Sequence, residues 1–263
     1  MGFMRVLGND LHYTDQGDGP PLLFLHGSGS CAEAWYHQVE AFSGRFRVIA
    51  YDSVNHGHSS NSAAGQAEPD RADELEGFLA ALGIDRPVIA GNSMGALTLL
   101  RWAVRHPGQA LGLIPSGMGV LPPDAPGRPL PAAEPIGDEV LFVGAERGFT
   151  PEFPAARPEL YDRYVRLRST ATRIEAFRHP RPPTLAHPGR DELASLVSGI
   201  TTPMQIILGE HDWLFDAGTH LHELVKGSRL ATVAGAPHNV YYQAAAEYNE
   251  IVAAFLAELD VSP

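Results

Sequence analysis

The chain has 263 residues, is 44% hydrophobic and 19% charged, and carries a formal net charge of −12. That length fits one large unit with a sizeable core, and the acidity repels nucleic acid and anionic membrane surfaces, so neither is expected as a partner. No run approaches the roughly 18–20 apolar residues that span a bilayer, the stretch from Met1 to Val6 has no apolar signal region, and the single Cys31 rules out an intrachain disulfide, so a cytoplasmic protein is expected.

Residues near 3–7 and 10–14 read as an opening hairpin. Short β-prone runs follow at 22–25, 47–51, 87–90, 110–114, 204–208 and 229–233. Between them lie helical patterns at 33–42, 70–82, 94–105, 217–226 and 240–259. Strands alternating with helices imply an α/β fold whose sheet is mainly parallel and covered on both faces. The alternation breaks between about Gly117 and Ser198. Prolines crowd 121–131, which excludes regular helix and central strand there. Residues 139–143 and 158–177 read as helices, and Pro180-Arg181-Pro182-Pro183 punctuates the return. The chain therefore divides into 1–116, 117–198 and 199–263. No internal repeat is visible.

Gly91-Asn92-Ser93-Met94-Gly95 fits Gly-x-Ser-x-Gly between an apolar strand and a helix. Such a turn strains the serine backbone and lifts its hydroxyl above the sheet at the positive end of a helix. Ser93 is thus the expected nucleophile, with a plain turn serine as the alternative. A serine hydroxyl needs a base. His238 stands on the loop between the strand at 229–233 and the last helix, which singles it out among twelve histidines. The base needs an orienting acid. Asp212 lies just past the strand ending at 208, where catalytic groups collect in open parallel sheets. Asp216 and Glu210 are the alternatives. The chain order serine, aspartate, histidine is the one expected of this motif.

On these residues the chain resembles the α/β-hydrolase fold superfamily over nearly its whole length. Two more stretches carry the likeness: the strand and His-Gly-x turn of Leu22 to Ser30, and Val48 to Ser59, similar to the family's strand followed by Asp-x-x-Gly-x-Gly-x-Ser. The chain departs from the pattern at Asn55-His56 and at Pro237 before His238, where the family usually has glycine. The resemblance implies an eight-stranded, mostly parallel sheet with helices on both faces and a helical cap at 117–198. It implies a serine hydrolase in which the backbone N–H groups of Ser28 and Met94 form the oxyanion hole, with the Ser28 hydroxyl as an optional third donor. It also places Phe142, Phe149, Phe153, Tyr161, Tyr164 and Phe177 of the cap as candidate pocket lining, against the plainer reading that most of them pack cap onto core.

Other features take the ordinary reading. His26, His56 and His58 have no carboxylate or cysteine at ligand spacing, so no metal and no cofactor is expected. His211-Asp212 is better explained by the triad. Gly27-Ser28-Gly29-Ser30 lacks the Gly-Lys-Ser/Thr of a phosphate loop. His220 and His222 are expected to face solvent. Cys31 reads as a small buried helix-start residue rather than a reactive thiol.

The expected partner is a small-molecule substrate, with a homodimer left open. The implied reaction is hydrolysis of a carboxylic ester of small or medium size. The runner-up is carbon–carbon bond hydrolysis of the meta-cleavage-product type. Asn92 matches that group, but Asn239 stands where the group usually has tryptophan. A non-catalytic small-molecule receptor remains as a reading of another class.

Overall fold

The computed structural model describes residues 1–62, 69–122, 146–171, 190–259 and 261. The hairpin expected at the start forms as β1 (Gly2–Val6) and β2 (Asn9–Gln16). Leu7 and Gly8 link them with φ of 47° and 80°, the two positive values that a two-residue primed hairpin turn requires. Then come β3 (Pro21–Leu25), a 3₁₀ turn (Ala32–Trp35), α1 (Tyr36–Phe42), β4 (Arg47–Tyr51), α2 (Arg71–Ala81), β5 (Val88–Asn92), α3 (Met94–Arg105) and β6 (Gly112–Ser116). Of the stretch between β6 and β7, the described part holds α4 (Phe153–Ala156), α5 (Pro158–Ala171) and α6 (Arg190–Val197). The helix expected at 139–143 and the prolines at 180–183 lie outside the described residues. The chain closes with β7 (Gln205–Gly209), α7 (Phe215–Leu224), β8 (Arg229–Val233), α8 (Val240–Gln243) and α9 (Ala245–Glu258).

The eight strands form one sheet in the order β1-β2-β4-β3-β5-β6-β7-β8. Only β1/β2 and β2/β4 pair antiparallel; the other pairs are parallel. The order reverses direction between β3 and β5, whose ends meet with Leu25 opposite Gly91. A reversal of this kind opens a crevice beyond the carboxyl ends of the strands. The loops after β3 and β5 therefore begin side by side.

Alternate strand residues feed two cores, as a sheet buried on both faces demands. Leu23, Leu25, Ile49 and Ile89 pack with Leu75, Phe78, Leu99, Leu100 and Leu221 on one face. Leu22, Phe24, Val48 and Ala50 pack with Trp35, Phe42, Tyr241 and Tyr248 on the other. Trp35 is fully buried, with the Tyr241 ring centroid 4.0 Å away. Burying a side chain of that class contributes about 1.5–3 kcal/mol.

Local chemistry sets the helix ends. Asp70 caps α2 by accepting the N–H of Ala72 at 2.8 Å, and its carboxylate pairs with Arg101 and Arg105 of α3. The single helix expected over 240–259 is two helices. Ala244, with φ −115° and ψ 50°, interrupts it, and there Gln243 exchanges hydrogen bonds with Thr150 at 2.9 and 3.0 Å. The break thus fastens the last helical segment to the residues that precede α4. No described helix is long and apolar enough to cross a membrane.

Candidate active site

Ser93 joins β5 to α3 with φ 53° and ψ −113°. A non-glycine residue in that region costs about 1–3 kcal/mol and persists only where its surroundings over-determine it. They do so here. The Ser93 N–H donates to the Ser116 carbonyl at 2.8 Å, and the Ser93 carbonyl accepts the Leu97 N–H at 3.0 Å. A Cβ on Gly95 would collide with the Leu25 carbonyl, and one on Gly91 would lie 2.5 Å from the Gly95 backbone. Glycine at both positions therefore allows strand and helix to close on each other.

The turn after β3 runs alongside. A Cβ placed on Gly27 would be 3.4 Å from the Ser93 Cβ. The Gly27 carbonyl accepts the Ser30 N–H at 3.1 Å, and Gly29 takes φ +69° to close the turn. His26 braces it. Its Nδ1 donates to the Gly27 carbonyl at 2.8 Å and its Nε2 accepts the Ser53 N–H at 3.1 Å. Burial holds the His26 pKa below the usual imidazole value, against the pull of Asp52, so the ring is the neutral tautomer that this pair of bonds requires. Met94 begins α3, where first-turn N–H groups have no intrahelical acceptor. Ser28 is exposed on the turn opposite.

Asp212 and His238 meet on the loops after β7 and β8. Asp212 Oδ1 lies 2.9 Å from His238 Nδ1, with both residues 5% exposed. The same oxygen accepts the Leu214 N–H at 2.8 Å. His238 reaches toward the serine turn: a Cβ on Gly117 would be 3.0 Å from His238 Cε1 and 2.8 Å from Asn92 Oδ1. The residue whose carbonyl holds the Ser93 N–H thus precedes the one that faces the His238 ring. The alternatives to Asp212 do other things. Glu210 Oε2 accepts the Gly235 N–H at 2.8 Å, and Asp216 is exposed in the first turn of α7.

Trp213 and Arg168 beside this constellation were not singled out by sequence, and Asn92, Asn239 and Tyr164 were not expected to meet. The Trp213 ring stacks on the His238 ring with centroids 3.9 Å apart and planes at 24°. Asn239 bridges Asn92, whose Nδ2 donates to its Oδ1 at 3.4 Å, and Tyr164, whose hydroxyl accepts from its Nδ2 at 3.2 Å. Arg168, on α5, donates from Nη1 to the Ser28 carbonyl at 3.2 Å, and its Nε is buried without a partner among the described residues. The signal for Trp213 was an aromatic directly after the acid. Arg168 gave no signal, because nothing in sequence ties α5 to the Gly27 turn.

Phe149, Phe153 and Tyr164 are buried, and Tyr161 is half-buried beside them. Phe149 stacks on Phe153 at 4.8 Å and meets Tyr161, Tyr164 and Tyr242 edge-on. These four residues pack the segment against α8, and the Tyr164 hydroxyl also accepts from Asn239, the residue after His238. Phe142 and Phe177 lie outside the described residues.

The bystanders are explained locally. Asp52 accepts the N–H groups of Ala32 and His58 and pairs with His12 at 2.9 Å. Burial raises its pKa, but these donors outweigh that and hold it below the usual carboxylate value. Cys31 is buried, and burial pushes its thiol well above the usual range. His58 is largely exposed at its side chain, with its backbone N–H on Asp52 and its ring edge-on to His12 at 5.0 Å between centroids. His220 and His222, expected to face solvent, are half-buried, since His222 turns back to Ser228 at 2.9 Å and His220 leans on Glu223. Among the described residues no group of three histidine, cysteine or acidic side chains is arranged to hold a metal.

The family described as alpha/beta hydrolase fold matches residues 20–135. An enol-lactonase from Burkholderia xenovorans LB400 superposes with a TM-score of 0.77 at 24% identity, covering 97% of this chain and 99% of that one. The chain adopts the α/β-hydrolase fold. Among proteins similar in sequence, an (E)-2-((N-methylformamido)methylene)succinate hydrolase of Acinetobacter baylyi is 40% identical over 96 residues, 36% of each chain. That match spans about a third of the relative. A 2-hydroxy-6-oxononadienedioate/2-hydroxy-6-oxononatrienedioate hydrolase of a Pseudomonas species is 28% identical over 271 residues, covering 95% of this chain and 93% of that one. The α/β-hydrolase fold accounts for the site's location: the crevice between β3 and β5 receives the loops that carry His26 to Ser30 and Ser93.

Proposed function

We propose that the chain is a serine hydrolase that cleaves a carboxylic ester of a small or medium-sized substrate through an acyl-enzyme on Ser93. The observation that carries this reading is the buried Asp212–His238 hydrogen bond of 2.9 Å, which faces the turn of the strained Ser93. In this scheme Ser93 Oγ attacks the carbonyl carbon while His238 Nε2 takes its proton. Asp212 fixes the imidazole tautomer and stabilises the imidazolium. The N–H groups of Ser28 and Met94 receive the oxyanion, each contributing about 2.7–4 kcal/mol. As the tetrahedral species collapses, His238 returns the proton to the leaving alcohol. Water then attacks the acyl-enzyme by the same steps and frees the acid.

Arg168 narrows the substrate class. Its guanidinium stands beside the Gly27–Gly29 turn, and no carboxylate pairs with it among the described residues. A substrate carrying a carboxylate a few atoms from the scissile carbonyl suits that position, since a planar guanidinium binds carboxylates in bidentate fashion. The two sequence relatives are named for hydrolysis of a succinate derivative and of a dienedioate or trienedioate, all carboxylate-bearing. The second of these also favours carbon–carbon bond hydrolysis as the alternative reaction, because the match runs along nearly the whole chain.

The test is hydrolysis of a p-nitrophenyl ester series from acetate to octanoate by wild type and Ser93→Ala. Turnover lost in the variant supports the ester reading. A folded wild type inert on esters but active on a vinylogous diketone acid shifts the reaction to carbon–carbon hydrolysis. Ligand-induced thermal stabilisation without any product would instead support a receptor.

A further inference from the structure

Trp213 is 37% exposed, yet one face of its indole is laid on the His238 ring at 3.9 Å between centroids and 24° between planes. Its backbone is fixed by the turn in which Asp212 Oδ1 accepts the Leu214 N–H. One loop therefore supplies both the carboxylate at the edge of the imidazole and the plate against its face. The two constraints are complementary. The hydrogen bond to Nδ1 leaves the ring free to rock about the Nδ1–Oδ1 line, and a plate parallel to the ring removes that freedom.

We propose that Trp213 is a positioning residue that selects the imidazolium form of His238 during catalysis. This rests on the serine-hydrolase reading above. Indole presents a negative quadrupole face and is the best of the aromatic side chains at holding a cation. Neutral imidazole gains only dispersion from it. When Ser93 Oγ gives up its proton the ring becomes a cation, and the contact strengthens. An interaction stronger in the transition state than in the ground state accelerates the chemical step, whereas one equal in both does not. Asp212 acts on the same charge from the edge, so the two contributions are additive in direction. Trp213 touches the base and not the reacting carbonyl, so its effect falls on serine activation.

The experiment reads that activation without knowledge of the natural substrate. Diisopropyl fluorophosphate phosphorylates an activated serine: the Oγ–P bond forms, fluoride leaves and the serine proton passes to the base. The rate of Ser93 labelling is measured for wild type, Trp213→Leu, Trp213→Gln and Trp213→Phe, with Tm recorded for each. Leu and Gln should slow labelling about tenfold, the size of a half-exposed cation–π contact. Phe should recover most of the rate, with Tm values alike. Should Leu fail to fold, Gln, which keeps length and polarity without a π face, carries the test. Labelling by Leu or Gln at the wild-type rate overturns the role, and so does a Phe variant as slow as Leu. A folded wild type that is not labelled at Ser93 overturns the serine reading, and this role with it.

Discussion

Asp212 gives one oxygen, Oδ1, to His238 Nδ1 at 2.9 Å and to the Leu214 N–H at 2.8 Å, while Oδ2 is buried with no partner among the described residues. The carboxylate is thus pinned by its acceptor side. Replacing it with an amide keeps the shape but removes the charge that stabilises the imidazolium, and puts an NH₂ group either in the buried Oδ2 position or against Nδ1, where it forces the wrong tautomer. Asp212→Asn is expected to lower kcat by about 10⁴, with little change in Tm. Asp216→Asn should leave the rate near wild type, because Asp216 is exposed in the first turn of α7. Steady-state kinetics on the best p-nitrophenyl ester compares the two. Loss of rate in the Asp216 variant alone would move the acid.

Strands β3 to β7 were legible because burial on both faces writes nearly continuous apolar runs such as Leu22-Leu23-Phe24-Leu25, and the partly exposed β1, β2 and β8 were found from shorter β-prone runs. Their ends slipped by one or two residues, as with β6, expected at 110–114 and found at Gly112–Ser116. The long C-terminal helix was misread as one piece. Its apolar spacing continues across Ala244, and only the tertiary bond between Gln243 and Thr150 marks the break. Asp212 and His238 were legible from their places just past strands. What sequence could not reveal are contacts that depend on where loops from distant elements land. Trp213 against His238, Arg168 against Ser28 and Tyr164 against Asn239 are of this kind. Each joins residues with no periodic or motif relation.

Phe149 tests whether the aromatic cluster is packing or pocket. It meets Phe153, Tyr161, Tyr164 and Tyr242 and is 6% exposed. Phe149→Ala is expected to lower stability by about 3–5 kcal/mol, read by urea denaturation, and to leave the preferred ester chain length unchanged. Tyr164→Phe removes only the hydroxyl that accepts from Asn239. It should cost about 0.5–1.5 kcal/mol and lower kcat more than it raises KM. A shifted chain-length profile in Phe149→Ala would show that this ring lines the pocket.

Arg168 makes a prediction that separates charge from size. Arg168→Gln keeps a donor near the Ser28 carbonyl and removes the cation. For an ester with a free carboxylate on its acyl chain, KM should rise about tenfold, the value of a hydrogen bond to a charged group. For a neutral ester of equal length, KM and kcat should stay close to wild type. Equal losses on the two substrates would mean that Arg168 acts by holding the Gly27–Gly29 turn and not by meeting substrate.

His26 couples the same turn to pH. Burial depresses its folded pKa below the ordinary imidazole value of 6.5. The unfolded chain therefore binds a proton on this residue before the folded chain does, and stability rises with pH wherever that difference exists. Full stability from the neutral ring is present above 6.5 and is lost as pH falls below it toward the folded pKa. Protonation would also force Nε2 to donate where it now accepts the Ser53 N–H at 3.1 Å. Thermal melts from pH 8 to pH 5 should show the wild-type Tm falling once pH drops past 6.5. His26→Asn cannot titrate, so its Tm should start lower and fall less over the same interval. Parallel curves for the two proteins would assign the acid sensitivity elsewhere. Asp52, whose carboxyl is held below its usual value, should add its own loss only at lower pH, as the medium approaches and passes 3.8.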